Sequence, residues 1–172
     1  MYRTFPYLIL FAVTVLLQVF LFDNLMISVY LDPLVYVAFI ALLPMDTKPV
    51  VLLLCGLALG VVMDFAMGAA GINTIATLLV AFVRPTLLVL LTGRDDGREG
   101  GVPSPERLGR TVFIEYLAVL VLLHHAVFFL LEALSWAHLL HTSVRVLLSG
   151  AVSVAFIWLI ARIFTTKLPV RI

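Results

Sequence analysis

Long apolar runs alternate with short polar stretches along almost the whole chain. A helix needs about 20 apolar residues to cross the hydrocarbon core of a bilayer, and backbone polar groups cannot go unsatisfied in lipid. Runs of this kind therefore predict transmembrane helices. They cover residues 4–22, 29–43, 50–67, 72–91, 111–134 and 144–164. The pattern predicts one all-α, polytopic membrane domain of six transmembrane helices over residues 1–172, with a loop at residues 92–110.

The second run is the shortest, and Asp32 and Pro33 lie near its start. Proline suits the first turn of a helix, where its missing N–H costs nothing. We therefore expect Asp32 to cap a helix that begins at Pro33, which leaves residues 25–30 as an interfacial or extended segment. The alternative is a full span that tilts or lies in a locally thinned bilayer.

The composition excludes the main classes of non-membrane protein. Hydrophobic residues make up 63% of the chain and charged residues 12%, and the mean hydropathy is +1.19. Soluble domains are about half apolar and about a quarter charged, and disordered chains are poorer still in apolar residues. The formal net charge of +1 does not indicate nucleic acid as a partner. The lipid bilayer is the expected environment.

The basic residues predict how the chain is oriented, because lysine and arginine concentrate in cytoplasmic loops. With six spans, both ends of the chain lie on one side of the membrane. That side carries almost all the basic residues, namely Arg3, Lys48, Arg94, Arg98, Arg107, Arg110, Arg162, Lys167 and Arg171. Arg145, at the start of the sixth run, is the exception on the other side. We expect both termini to be cytoplasmic.

Two groups of ionisable residues lie within or at the ends of the runs, where such side chains are costly and usually face the bundle interior. Arg84 and Glu115 have matching depths toward the cytoplasmic side, so they are candidates for a pair. The alternative is that Glu115 lies among the headgroups while Arg84 extends toward them. On the outer side, Asp64, Glu132 and Arg145 are candidates for an ion-pair cluster, or each lies separately at its own helix end.

Small residues recur every four positions in the third run, at Gly56, Gly60 and Gly68, with Asp64 in the same register. Residues at this spacing share one helix face, and small side chains let two helix backbones approach closely. We expect this stripe to contact a neighbouring helix, either inside the bundle or on a partner. Gly68 also suits a tight turn into the fourth run.

Motifs for catalysis are absent from the sequence, which has no phosphate-binding glycine loop, no Gly-x-Ser-x-Gly and no His-Glu-x-x-His. His138 and His141 have i, i+3 spacing, but zinc usually needs three or four convergent ligands. We predict no enzymatic activity, no cofactor and no metal site.

Several short stretches between residues 16 and 85 carry a resemblance to a known family. They are Leu16-Leu17-Gln18-Val19, Asp32-Pro33-Leu34-Val35-Tyr36, Leu42-Leu43-Pro44-Met45-Asp46-Thr47, Gly60-Val61-Val62-Met63-Asp64-Phe65 and Phe82-Val83-Arg84-Pro85. Together they resemble the rod-shape-determining membrane protein family MreD, in its Bacteroidetes-type form. The second half of the chain is similar in hydropathy and span count rather than in particular residues.

The resemblance implies a non-enzymatic subunit of the bacterial cell-elongation machinery in the plasma (inner) membrane. Such a subunit binds an MreC-like scaffold protein and acts indirectly with the actin-like MreB and with a peptidoglycan polymerase and transpeptidase. It supports peptidoglycan synthesis and cell-shape control without a cofactor.

The same resemblance implies an alternative. The family is similar in fold to the six-helix substrate-binding subunits of energy-coupling-factor vitamin transporters. Those subunits carry an Ala-xxx-Ala face in the first span, whereas Leu16 follows four residues after Ala12 here. A substrate-binding subunit of a small-molecule transporter is therefore the second hypothesis.

Overall fold

The chain forms a bundle of helices. A computed structural model describes residues 4–24, 31–93, 101–133 and 139–167. These residues form helices and connecting segments and contain no strand. Five of the helices are long and apolar enough to cross a membrane, so the chain is an all-α polytopic membrane protein.

The helices are numbered in chain order. They are α1 (Phe5–Leu16), which continues as a π-helix (Leu17–Phe22), α2 (Ala38–Ala41), α3 (Pro49–Met67), α4 (Ile72–Thr92), α5 (Pro105–Leu108), α6 (Arg110–Ala133) and α7 (Leu139–Lys167). Pro49 opens α3, where proline needs no hydrogen-bond partner. Gly68 and Gly93 end α3 and α4 with φ angles of 67° and 64°, a conformation that glycine adopts without strain.

Five of the six predicted runs correspond to long helices, namely α1 with its π-helix, α3, α4, α6 and α7. The second run does not. In its described part, residues 32–35 are not helical and only Ala38–Ala41 forms a helical turn. The expectation of a helix that begins at Pro33 is therefore wrong. The predictions for residues 25–30, Arg3, Arg94, Arg98, His138 and Arg171 lie outside the described residues.

The part of the chain that replaces the second helix is the most deeply buried in the protein. We call residues 31–45 the central segment, and residues 33–43 within it are all buried. The segment runs antiparallel to α6. Its Tyr36 contacts His124, and farther along the carbonyl of Ala41 accepts a hydrogen bond from Tyr116. Its last amide, on Met45, donates to the carbonyl of Gly101 over 2.8 Å.

The helices define two ends of the bundle. At the near end, Tyr7 of α1 contacts Phe164 of α7 with ring centroids 5.7 Å apart, and Met45 meets the segment that leads into α5. At the far end, the α3–α4 turn lies beside Asp64, and Arg145 of α7 is bonded to Glu132 of α6. The end of α4, the start of α6 and residues 101–109 therefore belong to the near end.

The glycine stripe of α3 packs inside this bundle. A Cβ atom at Gly56 would lie 3.0 Å from the Cβ of Ala81 on α4, and one at Gly60 would overlap the backbone of Thr74 and the hydroxyl of Thr77. Gly68 has no atom within 4 Å of such a Cβ and instead ends α3. Gly56 and Gly60 thus let α3 and α4 approach closely, and that face is not available to a partner.

Candidate functional site

The polar side chains of the bundle interior converge on the backbone of the central segment. A helix bonds its own N–H and C=O groups, but the parts of the central segment on either side of α2 are not helical and cannot do so. In a membrane protein each unsatisfied group costs several kcal/mol, so non-helical backbone persists only where other parts of the protein bond it. Side chains from four helices perform this role here, and we call them the backbone cage. They are Gln18, Arg84, Tyr116, His125 and Ser149.

Gln18 bonds the first part of the segment from the π-helix. Its amide Nε2 donates to the carbonyl of Pro33 over 3.2 Å, and its Oε1 accepts from the amide of Val35 at 2.7 Å. One side chain therefore offers the donor and acceptor that a neighbouring strand would offer. Ser149 of α7 accepts from the amide of Asp32 at 2.9 Å and completes this part of the cage.

His125 bonds the next amide and must be neutral to do so. Its Nδ1 lies 2.8 Å from the carbonyl of Val121, which can only accept, so Nδ1 carries the proton. Its Nε2 then accepts from the amide of Leu34 at 3.3 Å and lies 3.1 Å from the hydroxyl of Ser153. A proton on Nε2 would face the Leu34 N–H, so the neutral tautomer is part of the fold.

Tyr36 joins α4 to α6 through its hydroxyl. The hydroxyl donates to Asn73 Oδ1 over 2.6 Å and lies 3.0 Å from His124 Nε2. Because the Tyr36 hydroxyl donates its hydrogen to Asn73, its oxygen accepts a hydrogen bond from His124 Nε2. Within the described residues, the buried side-chain atoms without a hydrogen-bond partner are Asn73 Nδ2, His124 Nδ1 and Arg145 Nε. Two of the three therefore belong to the group around Tyr36.

Arg84 holds the last part of the segment and is itself 1% exposed. Its Nη2 donates to the carbonyl of Leu43, its Nη1 to that of Pro44 at 3.4 Å, and its Nε to the Tyr116 hydroxyl at 2.8 Å. The Tyr116 hydroxyl in turn donates a hydrogen bond to the carbonyl of Ala41 over 2.8 Å. Cations favour the carbonyl end of a helix, and this one caps the short α2.

The expected pair between Arg84 and Glu115 does not form. Glu115 is exposed, whereas its neighbour Tyr116 is fully buried and bonded to Arg84. Adjacent helical residues point about 100° apart, so only one of the two can face α4. The alternative expectation placed Glu115 among the headgroups and extended Arg84 toward them. Glu115 is exposed, but Arg84 is buried and bonds the central segment, so the part of the alternative that concerns Arg84 is wrong.

The expected outer cluster forms with a different member. Arg145 bonds Glu132 at 2.5 Å and Asp32, in place of Asp64, at 3.0 Å, and its guanidinium lies 4.3 Å from the ring centroid of Phe129. The cluster ties the start of the central segment to α6 and α7.

Asp64 serves the α3–α4 turn instead. Its two oxygens accept from the backbone amides of Asn73 and Thr74, at 2.9 Å and 3.1 Å, and from the Thr74 hydroxyl at 2.5 Å. The first amides of a helix have no partner within the helix, and a carboxylate there also interacts favourably with the helix dipole. Asp64 is therefore a cap for α4, supplied from the preceding helix.

Four of the five cage residues were not singled out from the sequence as site residues, namely Gln18, Tyr116, His125 and Ser149. A sequence signal for them exists, because polar side chains inside apolar runs, opposite a run that is short and contains proline, indicate a non-helical segment that needs bonding partners. The same signal is carried by Asn73, His124 and Ser153, which lie outside the cage.

Comparison with family models, curated proteins and solved structures finds no match for this chain. Nearly all polar groups of the site bond other groups of the protein, and the described residues include no cluster of three or more metal-binding side chains. Such an interior can hold the central segment in one conformation.

We expect Arg84→Lys to lower the free energy of unfolding by about 2 kcal/mol or more. Lysine keeps the charge but lacks the planar fork that reaches Tyr116 and two carbonyls at once, so buried acceptors lose their donor. Glu115→Gln is the matched control and should change the value by less than about 0.5 kcal/mol. Titration of the detergent-solubilised chain with dodecyl sulfate measures both. Equal losses of unfolding free energy in the two variants would contradict this geometry and favour a pair between Arg84 and Glu115.

We expect Asp64→Leu to cost about 1–2 kcal/mol, the usual effect of removing a helix cap, and Asp64→Asn to cost less because its carbonyl still accepts. The double variant with Arg145→Gln tests what Asp64 interacts with. The two effects should add to within about 0.5 kcal/mol, since the side chains do not touch. Coupling well above that value would show that Arg145 is the counter-charge of Asp64.

Proposed function

We propose that this chain is a non-enzymatic membrane subunit of the bacterial cell-elongation complex, similar to MreD, that binds an MreC-like scaffold protein. One observation carries the proposal. The stretches that resemble the family contain Gln18, Tyr36, Gly60, Asp64 and Arg84, and these are residues that hold the central segment and the α3–α4 pair. The resemblance thus coincides with residues that determine this particular fold.

The internal use of polar groups supports a role in assembly. The cage bonds the protein to itself, and the Gly56 and Gly60 face is occupied by α4. An MreC-like partner with a single span would then meet the outer helix faces. On α3 these faces carry large apolar side chains such as Leu54, which is 59% exposed, and Phe65, which is 87% exposed. Contact with MreB and with the peptidoglycan polymerase and transpeptidase would be indirect.

We further propose six membrane crossings with both termini in the cytoplasm, the second crossing being the central segment rather than a helix. Its contacts run from Arg145 at the far end to Gly101 at the near end. The near end carries Lys48, Arg110 and Arg162, which the positive-inside rule assigns to the cytoplasm of the inner membrane.

The second candidate function is substrate binding for a small-molecule transporter. Two observations favour it. Asn73 Nδ2 and His124 Nδ1 are buried polar atoms without a protein partner among the described residues. An open recess of about 500 Å³ lies beside Asp64 at the far end, which would face outward, and its wall includes Phe65 and Thr74.

The proposed topology predicts opposite labelling of the two ends. In a Cys55→Ser background, we expect Ala133→Cys at the far end to react with a membrane-impermeant maleimide added to intact cells. Lys48→Cys at the near end should react only after permeabilisation. Both positions are exposed and neither belongs to the cage. Labelling of both positions from one side would contradict the proposal.

The proposed function predicts that depletion of the chain rounds or swells a rod-shaped cell, and that an affinity-tagged copy retains an MreC-like protein from native membranes. Restoring the wild-type chain should restore the rods, and enzymatic activities of isolated membranes should not change. Normal cell shape after depletion, with saturable binding of riboflavin, thiamin or biotin by the purified chain, would favour the transporter hypothesis.

A further inference from the structure

A second, separate feature lies at the near end, on the outer surface of the bundle. There an open cleft of about 270 Å³ is lined by Pro105, Glu106, Arg110, Ile114, Trp158 and Arg162. One water occupies about 30 Å³ of liquid, so the cleft has room for a group the size of a lipid headgroup. None of these residues belongs to the backbone cage.

The rim of the cleft favours an anion. Among the described residues that line it, two are cationic, Arg110 of α6 and Arg162 of α7, and one is anionic, Glu106. Arg110 is also the first residue of α6, whose leading N–H groups have no partner within the helix. The positive end of the α6 dipole adds to the same field.

The floor of the cleft is apolar and lies one helical turn deeper. Ile114 follows Arg110 by four residues and Trp158 precedes Arg162 by four, so each arginine stands above an apolar side chain on its own helix. Ile114 is 47% exposed, and the guanidinium of Arg162 lies 5.5 Å from the ring centroid of Trp158. Tryptophan at this level is typical of the membrane–water interface.

We infer that this cleft binds an anionic phospholipid. Its phosphate lies between Arg110 and Arg162, and its first acyl carbons run along Ile114 and Trp158. The two arginines favour a phosphate from any source, but the apolar floor is useful only to a molecule that also carries a hydrocarbon chain. A zwitterionic lipid fits less well because its cationic group adds positive charge beside two arginines.

Trp158 reports directly on the cleft and allows a binding measurement. The purified full-length chain carrying Trp136→Phe has Trp158 as its one tryptophan. Dioctanoyl phosphatidylglycerol should produce a saturable change in its fluorescence, and dioctanoyl phosphatidylcholine should bind at least tenfold more weakly. Arg110→Gln and Arg162→Gln should each weaken the phosphatidylglycerol affinity about fivefold, the effect of one cation near an anionic surface.

Lys48→Gln is the matched control, because it removes one exposed positive charge from the same end of the bundle but not from the cleft. It should leave the affinity unchanged. An equal loss of phosphatidylglycerol affinity in Lys48→Gln would show that the affinity depends only on the net charge of the protein, and it would overturn the proposed site. Equal binding of phosphatidylcholine, or saturation by inorganic phosphate at the same concentrations, would overturn the assignment to an anionic lipid.

A measurement on the wild-type chain covers the case in which an arginine variant does not fold. Protein extracted in a mild detergent from vesicles of equal phosphatidylglycerol and phosphatidylcholine content is analysed by native mass spectrometry. The inference expects one retained phosphatidylglycerol in excess over phosphatidylcholine. Retention of the two lipids in equal amounts would contradict it.

Discussion

The structure depends on one constraint, which is that residues 31–45 place backbone in the interior of a membrane protein with only one short helical turn, α2, to bond it internally. No water is available there, and most of the backbone on either side of α2 has no partner within the segment. Gln18, Arg84, Tyr116, His125 and Ser149 bond the amides and carbonyls of these two flanking parts and the last carbonyl of α2. Removal of any one partner leaves a buried acceptor or donor unsatisfied.

The same bonds determine how the helices are placed along one another. Between lipid-embedded helices there is little hydrophobic drive, and apolar packing alone tolerates several registers. Arg84 and Tyr116 fix α4 against α6 at one level, and Tyr36 with Asn73 and His124 fixes the same two helices at another. Two polar junctions at different depths leave α4 and α6 a single relative position.

Hydropathy predicted the five long helices because it measures what lipid requires of side chains. Hydropathy could not predict that the central segment is mostly non-helical. An apolar segment has the same hydropathy whether its backbone bonds to itself or to neighbouring side chains. The pairs of Arg84 with Glu115 and of Arg145 with Asp64 were expected from depth and charge. Depth does not specify which way a side chain points. In the structure Arg84 is bonded to Tyr116, and Arg145 is bonded to Asp32.

The glycine stripe shows that residue spacing can predict a contact without identifying the element that provides it. The spacing of Gly56 and Gly60 predicted a close helix contact, and the contact exists, but spacing alone left open whether α4 or a partner provides it. Gly68 served the turn at the end of α3. Asp64 could be placed at a helix end from the sequence, whereas its role depends on amides nine and ten residues later.

The cage also imposes an order on synthesis. The amide of Leu34 is bonded by His125, and the amide of Asp32 by Ser149, 117 residues farther along the chain. At about 5–20 residues per second, the ribosome needs roughly 6 to 23 s to make that stretch. During this period the central segment lacks one or more of the four cage side chains that follow it in the chain, Arg84, Tyr116, His125 and Ser149. The translocation machinery, or water at the membrane surface, must therefore solvate these backbone groups until α7 emerges, so the central segment is the last part of the described bundle to be fully bonded.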